Sequence, residues 1–200
     1  RGYELTKTNQ VPCAWAPMDD PLYRAYHDEE WGVPEYDSRA LWEKLQLDGM
    51  QAGLAWITIL RKRETMREEF DEFDPERIAR WDQRRIDKAL TNPGIIRSPK
   101  KIESCIGNAR AFLDGLDQGE DFSEFCWDFV DHKPILGHLK YYRDGPTKTD
   151  ISEACSKALK KRGHKFVGPT IVYAWMQACG LYNDHEVDCP RFKQVQELAR

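Results

Sequence analysis

Residues 21–34 read Pro-Leu-Tyr-Arg-Ala-Tyr-His-Asp-Glu-Glu-Trp-Gly-Val-Pro, and residues 47–56 read Leu-Asp-Gly-Met-Gln-Ala-Gly-Leu-Ala-Trp. These stretches bring together several aromatic side chains and one acid, Asp48, that we expect near the end of a helix. Aromatic faces attract a cationic heterocycle, and a carboxylate accepts hydrogen bonds from its polar edge. The pattern predicts a pocket for a planar, positively charged ring. The alternative is a helical core with aromatic filling.

The remainder of the chain indicates helices. Cap signals precede runs of apolar residues with helical spacing at Asp37-Ser38, Asp74-Pro75 and Ser98-Pro99. We expect Asp48-Gly49 to interrupt one helix, and residues 131–149, with two prolines and two glycines, to form a loop. No segment alternates apolar and polar residues over more than a few positions, so the sequence predicts an all-α fold.

The composition is that of one folded domain. The 200 residues carry a net charge of −4, and 40% of them are hydrophobic. We expect a flexible N-terminal arm over residues 1–12, a single helical domain over 13–189 and a C-terminal tail over 190–200. The net charge argues against a protein that coats nucleic acid with its whole surface, but it is compatible with a local basic face.

Membrane insertion and secretion are not expected. The longest largely apolar run, residues 54–60, is too short to cross a membrane, and the first dozen residues lack the apolar segment of a signal peptide. These features predict a cytoplasmic protein. In that setting the six cysteines favour thiols and metal ligands over disulfides.

Two cysteines and two histidines have the composition of a closed zinc site. Cys13 and His27 lie near the start of the sequence, and His185 and Cys189 lie near its end. The His-x3-Cys spacing puts both side chains on one helical face or turn, whereas the first pair is separated by an unusually long gap. The spacing alone leaves open whether these residues bind structural zinc or are unrelated.

One turn between two helices has features of a phosphate-binding site. It contains Gly94, Ile95 and Ile96, and the helix that follows carries Lys100 and Lys101 in its first turn. Backbone N–H groups of such a turn, together with the helix N-terminus, bind phosphate without reading base sequence. Cations in this first turn oppose the helix dipole, which indicates an external anion. A plain helix connection with solvated lysines is the alternative.

Two further stretches are candidates for nucleic-acid contact. One is a cationic run at the end of a predicted helix, where cations also suit the dipole, so a solvated face is the alternative. The other is a small-residue turn with an apolar tip that could fill the space left by a flipped nucleotide, although an ordinary turn between helices has the same pattern. The residues are Lys160, Lys161 and Arg162 in the first stretch, and Gln51, Gly53 and Leu54 in the second.

Over about residues 13–189, the chain resembles the 3-methyladenine DNA glycosylase I family of bacterial base-excision repair. The resemblance rests on many short motifs in a fixed order. They are Asp20-Pro21-Leu22-Tyr23, Ala25-Tyr26-His27-Asp28, Glu30-Trp31-Gly32-Val33-Pro34, Gln51-Ala52-Gly53-Leu54, Trp56-Ile57-Thr58, Gly94-Ile95-Ile96-Arg97, Ile106-Gly107-Asn108-Ala109-Arg110, Lys165-Phe166-Val167-Gly168, Gln177-Ala178-Cys179-Gly180-Leu181 and Asn183-Asp184-His185.

The resemblance implies a helix-hairpin-helix DNA glycosylase fold, with the hairpin at about Pro93–Pro99 and a zinc site that joins the N- and C-terminal segments. It implies an enzyme that removes N3-methyladenine from double-stranded DNA with alkylated bases and leaves an abasic site. No lysine stands out as a Schiff-base nucleophile beside the pocket residues, so we expect a monofunctional enzyme. We expect a monomer, because repair of a single lesion needs no more. The implied ligands of one structural zinc ion are Cys13, His27, His185 and Cys189. The implied base pocket consists of Tyr26, Trp56 and the acid Asp48, with Trp15, Tyr23 and Trp31 close by.

Asp48 departs from the family pattern, which usually has glutamate there. Its carboxylate reaches about 1.5 Å less far, and a displacement of that size can lower a rate on the order of 100-fold. One alternative is therefore a damaged-DNA-binding protein of the same fold that does not cut or takes another base. A zinc-stabilised helical interaction module is a second alternative. A zinc hydrolase is disfavoured, because four protein ligands leave no open position on the metal.

Overall fold

The computed structural model of the protein describes residues 11–17 and 19–200, so residues 1–10 of the predicted N-terminal arm lie outside the described residues. The described chain is mainly helical, as predicted. Its helices are α1 Pro21–Ala25, α2 Ser38–Met50, α3 Trp56–Glu69, α4 Pro75–Ile78, α5 Gln83–Ala89, α6 Pro99–Asp117, α7 Phe122–Trp127, α8 Asp150–Lys161, α9 Pro169–Ala178 and α10 Pro190–Gln194. Within these ranges, no helix combines the length and the apolar character that a bilayer crossing requires.

Side-chain caps begin several helices where the sequence places them. Asp37, Asp74 and Ser98 each accept a hydrogen bond from a backbone N–H in the first turn of α2, α4 and α6. These bonds satisfy donors that have no partner within the helix, and they confirm the three predicted helix starts.

The predicted interruption at Asp48-Gly49 is wrong, because α2 continues through both residues. Packing explains the glycine at position 49, because a Cβ there would lie 3.2 Å from the carbonyl oxygen of Phe166. The loop that carries Phe166 is tied to α6, where Oδ1 of Asn108 accepts a 2.7 Å hydrogen bond from the backbone N–H of Lys165. The end of α2 is therefore packed closely against the loop between α8 and α9.

Two apolar clusters hold the helices together. The larger one contains the fully buried indoles of Trp42, Trp127 and Trp175, from α2, α7 and α9. The smaller one lies at the side of the domain formed by α1 and α3, and it contains buried Tyr26, Trp31, Leu60 and Ala178. Burial of this apolar surface supplies the main favourable free energy of folding, and the smaller cluster also positions the site described below.

Three local features differ from the simple helical prediction. α1 continues directly into one π-helical turn, Tyr26–Glu30. Segment 131–149, predicted as a loop, contains the strand β1, Ile135–Leu136, which pairs in parallel with β2, Tyr182–Asn183. Segment 190–200, predicted as a tail, begins with α10 and buries the apolar side chains of Phe192 and Val195. The strand pair joins distant parts of the chain, whereas the π-helical turn is closed by a local hydrogen bond from the N–H of Trp31 to the carbonyl oxygen of Tyr26.

Candidate functional site

A cavity of about 190 Å³ opens beside the smaller apolar cluster. Pockets for drug-sized ligands span roughly 300–1,000 Å³, so this cavity suits a smaller molecule such as one nucleobase. The structure brings all six residues of the predicted base pocket to it. Its lining consists of Trp15, Tyr23, Tyr26, Trp31, Asp48, Gln51, Trp56, Tyr142, Ala174, Gln177 and Ala178.

Three elements carry the residues at the centre of the cavity. Tyr26 begins the π-helical turn, Asp48 lies in the last turn of α2, and Trp56 begins α3. The rings of Tyr26 and Trp56 have centroids 5.5 Å apart and planes tilted by 44°. The Arg63 guanidinium donates two 2.7 Å hydrogen bonds to the Glu30 carboxylate, and this bidentate pair joins α3 to the π-helical turn.

Asp48 is buried, and one of its carboxyl oxygens lacks a partner. The residue is 5% exposed, and its Oδ2 has no hydrogen-bond partner among the described residues. Burial raises the pKa of Asp48 from its ordinary value of 3.8 to about 8, partly opposed by the charge of Lys44. The carboxyl group is therefore largely protonated at neutral pH in the free protein. A cation in the cavity would draw it towards the ionised form.

Two indole N–H groups around the cavity are also unpaired. The Nε1 atoms of Trp15 and Trp56 are buried and have no hydrogen-bond acceptor in the described part of the chain. Buried polar groups in folded proteins are nearly always paired, and leaving one unpaired costs about 1–3 kcal/mol. Two unpaired donors and one unpaired carboxyl oxygen thus belong to residues that line a single cavity.

Sequence reasoning assigned no role to Tyr142 and Gln177, which also line the cavity. The backbone N–H of Tyr142 donates a 2.8 Å hydrogen bond to Glu186, and its hydroxyl donates one of 3.2 Å to Oε1 of Gln177. The Gln177 amide in turn donates a 2.7 Å hydrogen bond to Asp184. Gln177 stands in one of the family motifs, whereas a lone loop tyrosine carries no spacing signal. Segment 131–149 thus contributes one wall of the cavity.

The four predicted metal ligands come together in a buried cluster. Their ligand atoms all lie within 4.8 Å of one another. The sulfur–nitrogen distances are 3.4 Å from Cys13 to His185, 3.6 Å from Cys189 to His27 and 3.8 Å from Cys189 to His185. A tetrahedral zinc ion with ordinary bond lengths separates such atoms by about 3.6 Å. The cluster therefore has the donors and the dimensions to hold a metal ion.

Each histidine of the cluster has its other ring nitrogen engaged. His27 Nδ1 lies 2.7 Å from the Asp28 carboxylate, and His185 Nε2 lies 2.8 Å from the carbonyl oxygen of Trp31. Donation of a ring N–H to these acceptors selects the tautomer whose second nitrogen faces the cluster. Such outer contacts commonly orient metal-binding histidines.

The Cys/His cluster lies directly behind the aromatic wall of the cavity. The ring of Trp31 meets His185 edge-on, with centroids 4.7 Å apart, and Trp15 meets His27 in the same way at 5.1 Å. Trp15 and Trp31 also contact each other, with centroids 4.9 Å apart. Two of the cavity's indoles are therefore positioned by the same histidines that belong to the cluster.

The small-residue turn after α2 stands at the cavity. Gln51 lines the cavity, Gly53 has the left-handed φ of +78°, and Leu54 is 40% exposed. A left-handed φ is readily adopted by glycine, so the turn reverses there and leaves an apolar tip in solvent. The structure thus brings Gln51, Gly53 and Leu54 together beside the pocket residues.

The turn between α5 and α6 packs on α3. A Cβ on Gly94 would lie 2.4 Å from the methyl group of Thr65, Ile95 is buried, and Ile96 is partly buried. The ammonium group of Lys62 donates a 2.6 Å hydrogen bond to the carbonyl oxygen of Pro93. α5, this turn and α6 form a helix–turn–helix unit held against α3.

The predicted phosphate-binding cations differ in their surroundings. Lys100, Lys160 and Lys161 are exposed. The Lys101 ammonium instead donates to two backbone carbonyls of the chain, and Arg162 makes hydrogen bonds of 2.6–3.0 Å with Glu120. Lys101 and Arg162 are thus already engaged inside the protein.

Comparison with known proteins places this fold among the DNA glycosylases. The crystal structure of a 3-methyladenine DNA glycosylase I matches with a TM-score of 0.88 and 52% identity, covering 90% of this chain and 98% of that chain. A variant of such a glycosylase in complex with 3-methyladenine matches with a TM-score of 0.85 and 40% identity, covering 89% and 95%. DNA-3-methyladenine glycosylase 1 of Escherichia coli (strain K12) is 52% identical over 177 residues, which are 88% of this chain and 94% of the relative.

Within the DNA glycosylases, the match to a family model identifies a narrower group. The model of the methyladenine glycosylase family matches residues 15–193. This chain belongs to the methyladenine glycosylase family. The matched range includes every residue that lines the cavity and three residues of the Cys/His cluster, with Cys13 just before it.

Proposed function

We propose that this protein is a DNA-3-methyladenine glycosylase of base-excision repair, which hydrolyses the N-glycosidic bond of N3-methyladenine in double-stranded DNA. The observation that carries the proposal is the base-sized aromatic cavity in which the carboxyl group of Asp48 lacks a partner. A relative that is 52% identical over 88% of the chain bears this name, and a structural relative binds 3-methyladenine.

Recognition follows from the charge of the lesion. An adenine methylated at N3 in DNA is a cation, and the faces of Tyr26 and Trp56 attract cations. Asp48 accepts a hydrogen bond from the exocyclic amine, which favours adenine over guanine, where a carbonyl oxygen stands instead. Burial holds the pKa of Tyr26 well above its ordinary value, so its hydroxyl stays neutral and can donate a hydrogen bond.

The reaction needs little help with the leaving group. The base departs with the electron pair of the C1′–N bond, which neutralises its own charge and leaves an oxocarbenium-like sugar. Water then adds to C1′ and loses a proton, which gives an abasic site. The described residues that line the cavity include no lysine to form a Schiff base, so the proposed enzyme is monofunctional. Strand cleavage of abasic DNA by the pure protein would contradict this.

The proposal includes one structural zinc ion at the buried cluster. Two thiolates and two imidazoles are preferred zinc donors, and four protein ligands leave no position for a reacting water. The ion would be held by Cys13, His27, His185 and Cys189. It would join the two ends of the described domain and support the indoles that line the cavity, without entering the chemistry.

The protein would hold DNA through its phosphates, without recognising the base sequence. α5, the turn at 93–99 and α6 would act as the helix-hairpin-helix, with the backbone at Gly94, Ile95 and Ile96 and the ammonium of Lys100 facing phosphates. Exposed Lys160 and Lys161 would add to this contact. The protein would act on chromosomal DNA in the cytoplasm as a monomer, because one lesion needs one pocket.

The decisive experiment measures release of free base from DNA treated with a methylating agent, resolved by chromatography, for the wild type and Asp48→Asn. The wild type is expected to release 3-methyladenine, and the asparagine variant is expected to lose on the order of 100-fold or more in rate, because it cannot carry the charge that pairs with the cationic base. Equal release by the two proteins would refute the role assigned to Asp48.

A second candidate function is damaged-DNA binding without excision. It is favoured by one observation, the short and largely protonated Asp48 carboxyl in the free protein. This candidate predicts tighter binding to methylated than to unmodified DNA, with no released base even at enzyme excess. Base release by the wild type excludes it.

A further inference from the structure

Lys101 connects two parts of the proposed DNA-binding face. It lies in the first turn of α6, and its Nζ donates 2.7 Å hydrogen bonds to the carbonyl oxygens of Met50 and Ala52. These carbonyls belong to the end of α2 and the turn that follows, where carbonyl groups lack partners within the helix. A cation at a helix C-terminus also complements the helix dipole.

The position of Lys101 is unfavourable for its own helix. A cation in the first turn of α6 opposes the dipole of that helix, and burial lowers the pKa of Lys101. The neighbouring Lys100 is exposed. Of two consecutive lysines, one therefore faces solvent, while the other gives up hydration to bind two carbonyls of another element.

The turn that Lys101 holds, residues 50–54, lies at the edge of the cavity. Gln51 stands between the two carbonyls that Lys101 binds, and it lines the cavity. Leu54 is exposed, and its N–H donates a 2.7 Å hydrogen bond to the carbonyl oxygen of Gln51. Gly53 makes this turn intrinsically adaptable, so its geometry depends on an external tie.

We infer that Lys101 is a positioning residue for base flipping. It holds turn 50–54 in the geometry in which Gln51 and Leu54 fill the space that the flipped base vacates, and it ties this turn to the phosphate-facing start of α6. The inference rests on the proposed glycosylase function. Lys101 does not touch the base, so its loss impairs only those substrates whose base must leave a duplex.

The test is single-turnover release of 3-methyladenine from duplex and from single-stranded methylated DNA, at saturating protein. We expect Lys101→Met to lose about 10- to 100-fold on the duplex, since a turn displaced by about 1 Å costs up to that factor. On single strands the loss should stay below about threefold, because no stacked partner is displaced. Lys101→Arg keeps the charge and the donors and should recover part of the duplex rate.

Lys100→Met is the matched control. It removes an exposed cation one residue away, and it should weaken binding to damaged and undamaged DNA alike. The dependence of DNA affinity on salt concentration should decrease by the amount expected for one lost phosphate contact. Its ratio of duplex to single-strand rates should equal that of the wild type. Because this ratio is taken within one preparation, partial unfolding of a variant cancels from it.

Two results would overturn the inference. One is a duplex rate of Lys101→Met equal to that of the wild type. The other is an equal loss on duplex and single strands, which would place the effect of Lys101 in the pocket or in general DNA affinity. Absence of released base with the wild type on both substrates would refute the proposed function itself, and is therefore distinguishable from both.

Discussion

At Asp48, burial and ligand binding act on the same proton in opposite directions. Burial favours the neutral carboxyl group, and a cationic base in the cavity favours the carboxylate. Capture of the proposed lesion is therefore coupled to release of a proton. A neutral base such as unmodified adenine offers no charge to offset the cost of ionising a buried acid, so this one residue discriminates by charge as well as by shape.

The first prediction concerns stability and pH. The folded-state pKa of Asp48 is about 8, against an ordinary value of 3.8, so between these values the folded protein holds a proton that the unfolded chain has released. The free energy of unfolding should therefore fall as pH rises through this window. Asp48→Asn has no carboxyl group to ionise, so its stability should not fall in this way. The free energy of unfolding of the variant should therefore exceed that of the wild type by an amount that grows with pH, to on the order of 5 kcal/mol at most.

Urea unfolding at a series of pH values between 5 and 8 measures the effect. Asp117→Asn, at an exposed position of α6, reports the removal of an acid without burial. A stability difference between wild type and Asp48→Asn that is the same at every pH would contradict the prediction.

The second prediction concerns Tyr142. Its ring forms part of the cavity wall against Trp15 and Trp31, with centroids 6.2 and 5.8 Å apart. Tyr142→Ala should weaken binding of free 3-methyladenine on the order of 10-fold, since base–aromatic contacts are worth about 1–3 kcal/mol. Quenching of tryptophan fluorescence measures the affinity. Tyr141→Ala, at a neighbouring position that does not line the cavity, is the control, and equal losses in both variants would show that the loop matters as a whole.

At the scale of elements, the end of α9 is held against the segment after the π-helical turn. The N–H of Gly32 donates to the carbonyl oxygen of Ala178 at 3.2 Å, and the N–H of Glu35 donates to that of Cys179 at 2.9 Å. Gly180 ends the helix with φ +76°, and a Cβ there would lie 2.5 Å from the backbone nitrogen of Pro34. The three cavity residues of α9, Ala174, Gln177 and Ala178, lie in the half of the helix that this close approach holds in place.

The third prediction compares two glycines. Gly180→Ala should lower the free energy of unfolding by about 3 kcal/mol or more. Alanine would have to adopt the left-handed φ of this position, and its Cβ would clash with the backbone of Pro34. Gly107→Ala, in the middle of α6 with no atom within 4 Å of the new Cβ, should raise it by about 0.5–1 kcal/mol. Chemical denaturation measures both values, and a mild effect at Gly180 would mean that the chain around Pro34 can shift.

The sequence predicts those elements whose signals are local. Capping residues such as Asp37 and Ser98 act on N–H groups three residues away, so they are legible without a structure. The pairing of β1 with β2 and the burial of Val195 depend on distant partners, and the π-helical turn has no comparable sequence pattern. Lys101 illustrates the same limit in the site, because its sequence position predicts an external anion, whereas the fold supplies internal carbonyls.

At the scale of the whole molecule, the buried Cys/His cluster joins the first described residues to the last part of the domain. Cys13 and His27 are separated from His185 and Cys189 by most of the chain. A tie across such a long loop lowers the conformational entropy of the unfolded chain. The rings of Trp15 and Trp31 rest on its histidines, so the tie also bears on the cavity.

The fourth prediction is that the protein binds one zinc ion per chain and that Cys13→Ser loses it, with a lower thermal unfolding midpoint and weaker 3-methyladenine binding. Metal analysis by mass spectrometry, thermal unfolding and ligand titration measure the three effects. His132→Ala removes a histidine from an exposed trio with Glu124 and Asp128, and it should keep the zinc. Full metal content in Cys13→Ser would contradict the assigned ligand set.

The distance along the chain between His27 and His185 also sets an order of events during synthesis. Ribosomes add about 5–20 residues per second, so the first half of the cluster waits on the order of 10–30 seconds for the second half. Until His185 has emerged, Trp31 lacks the imidazole that packs against its ring and donates a hydrogen bond to its carbonyl oxygen. The cavity lacks Gln177 and Ala178 for nearly as long. A nascent chain that has not yet reached these residues therefore lacks a complete cavity and cannot capture a damaged base.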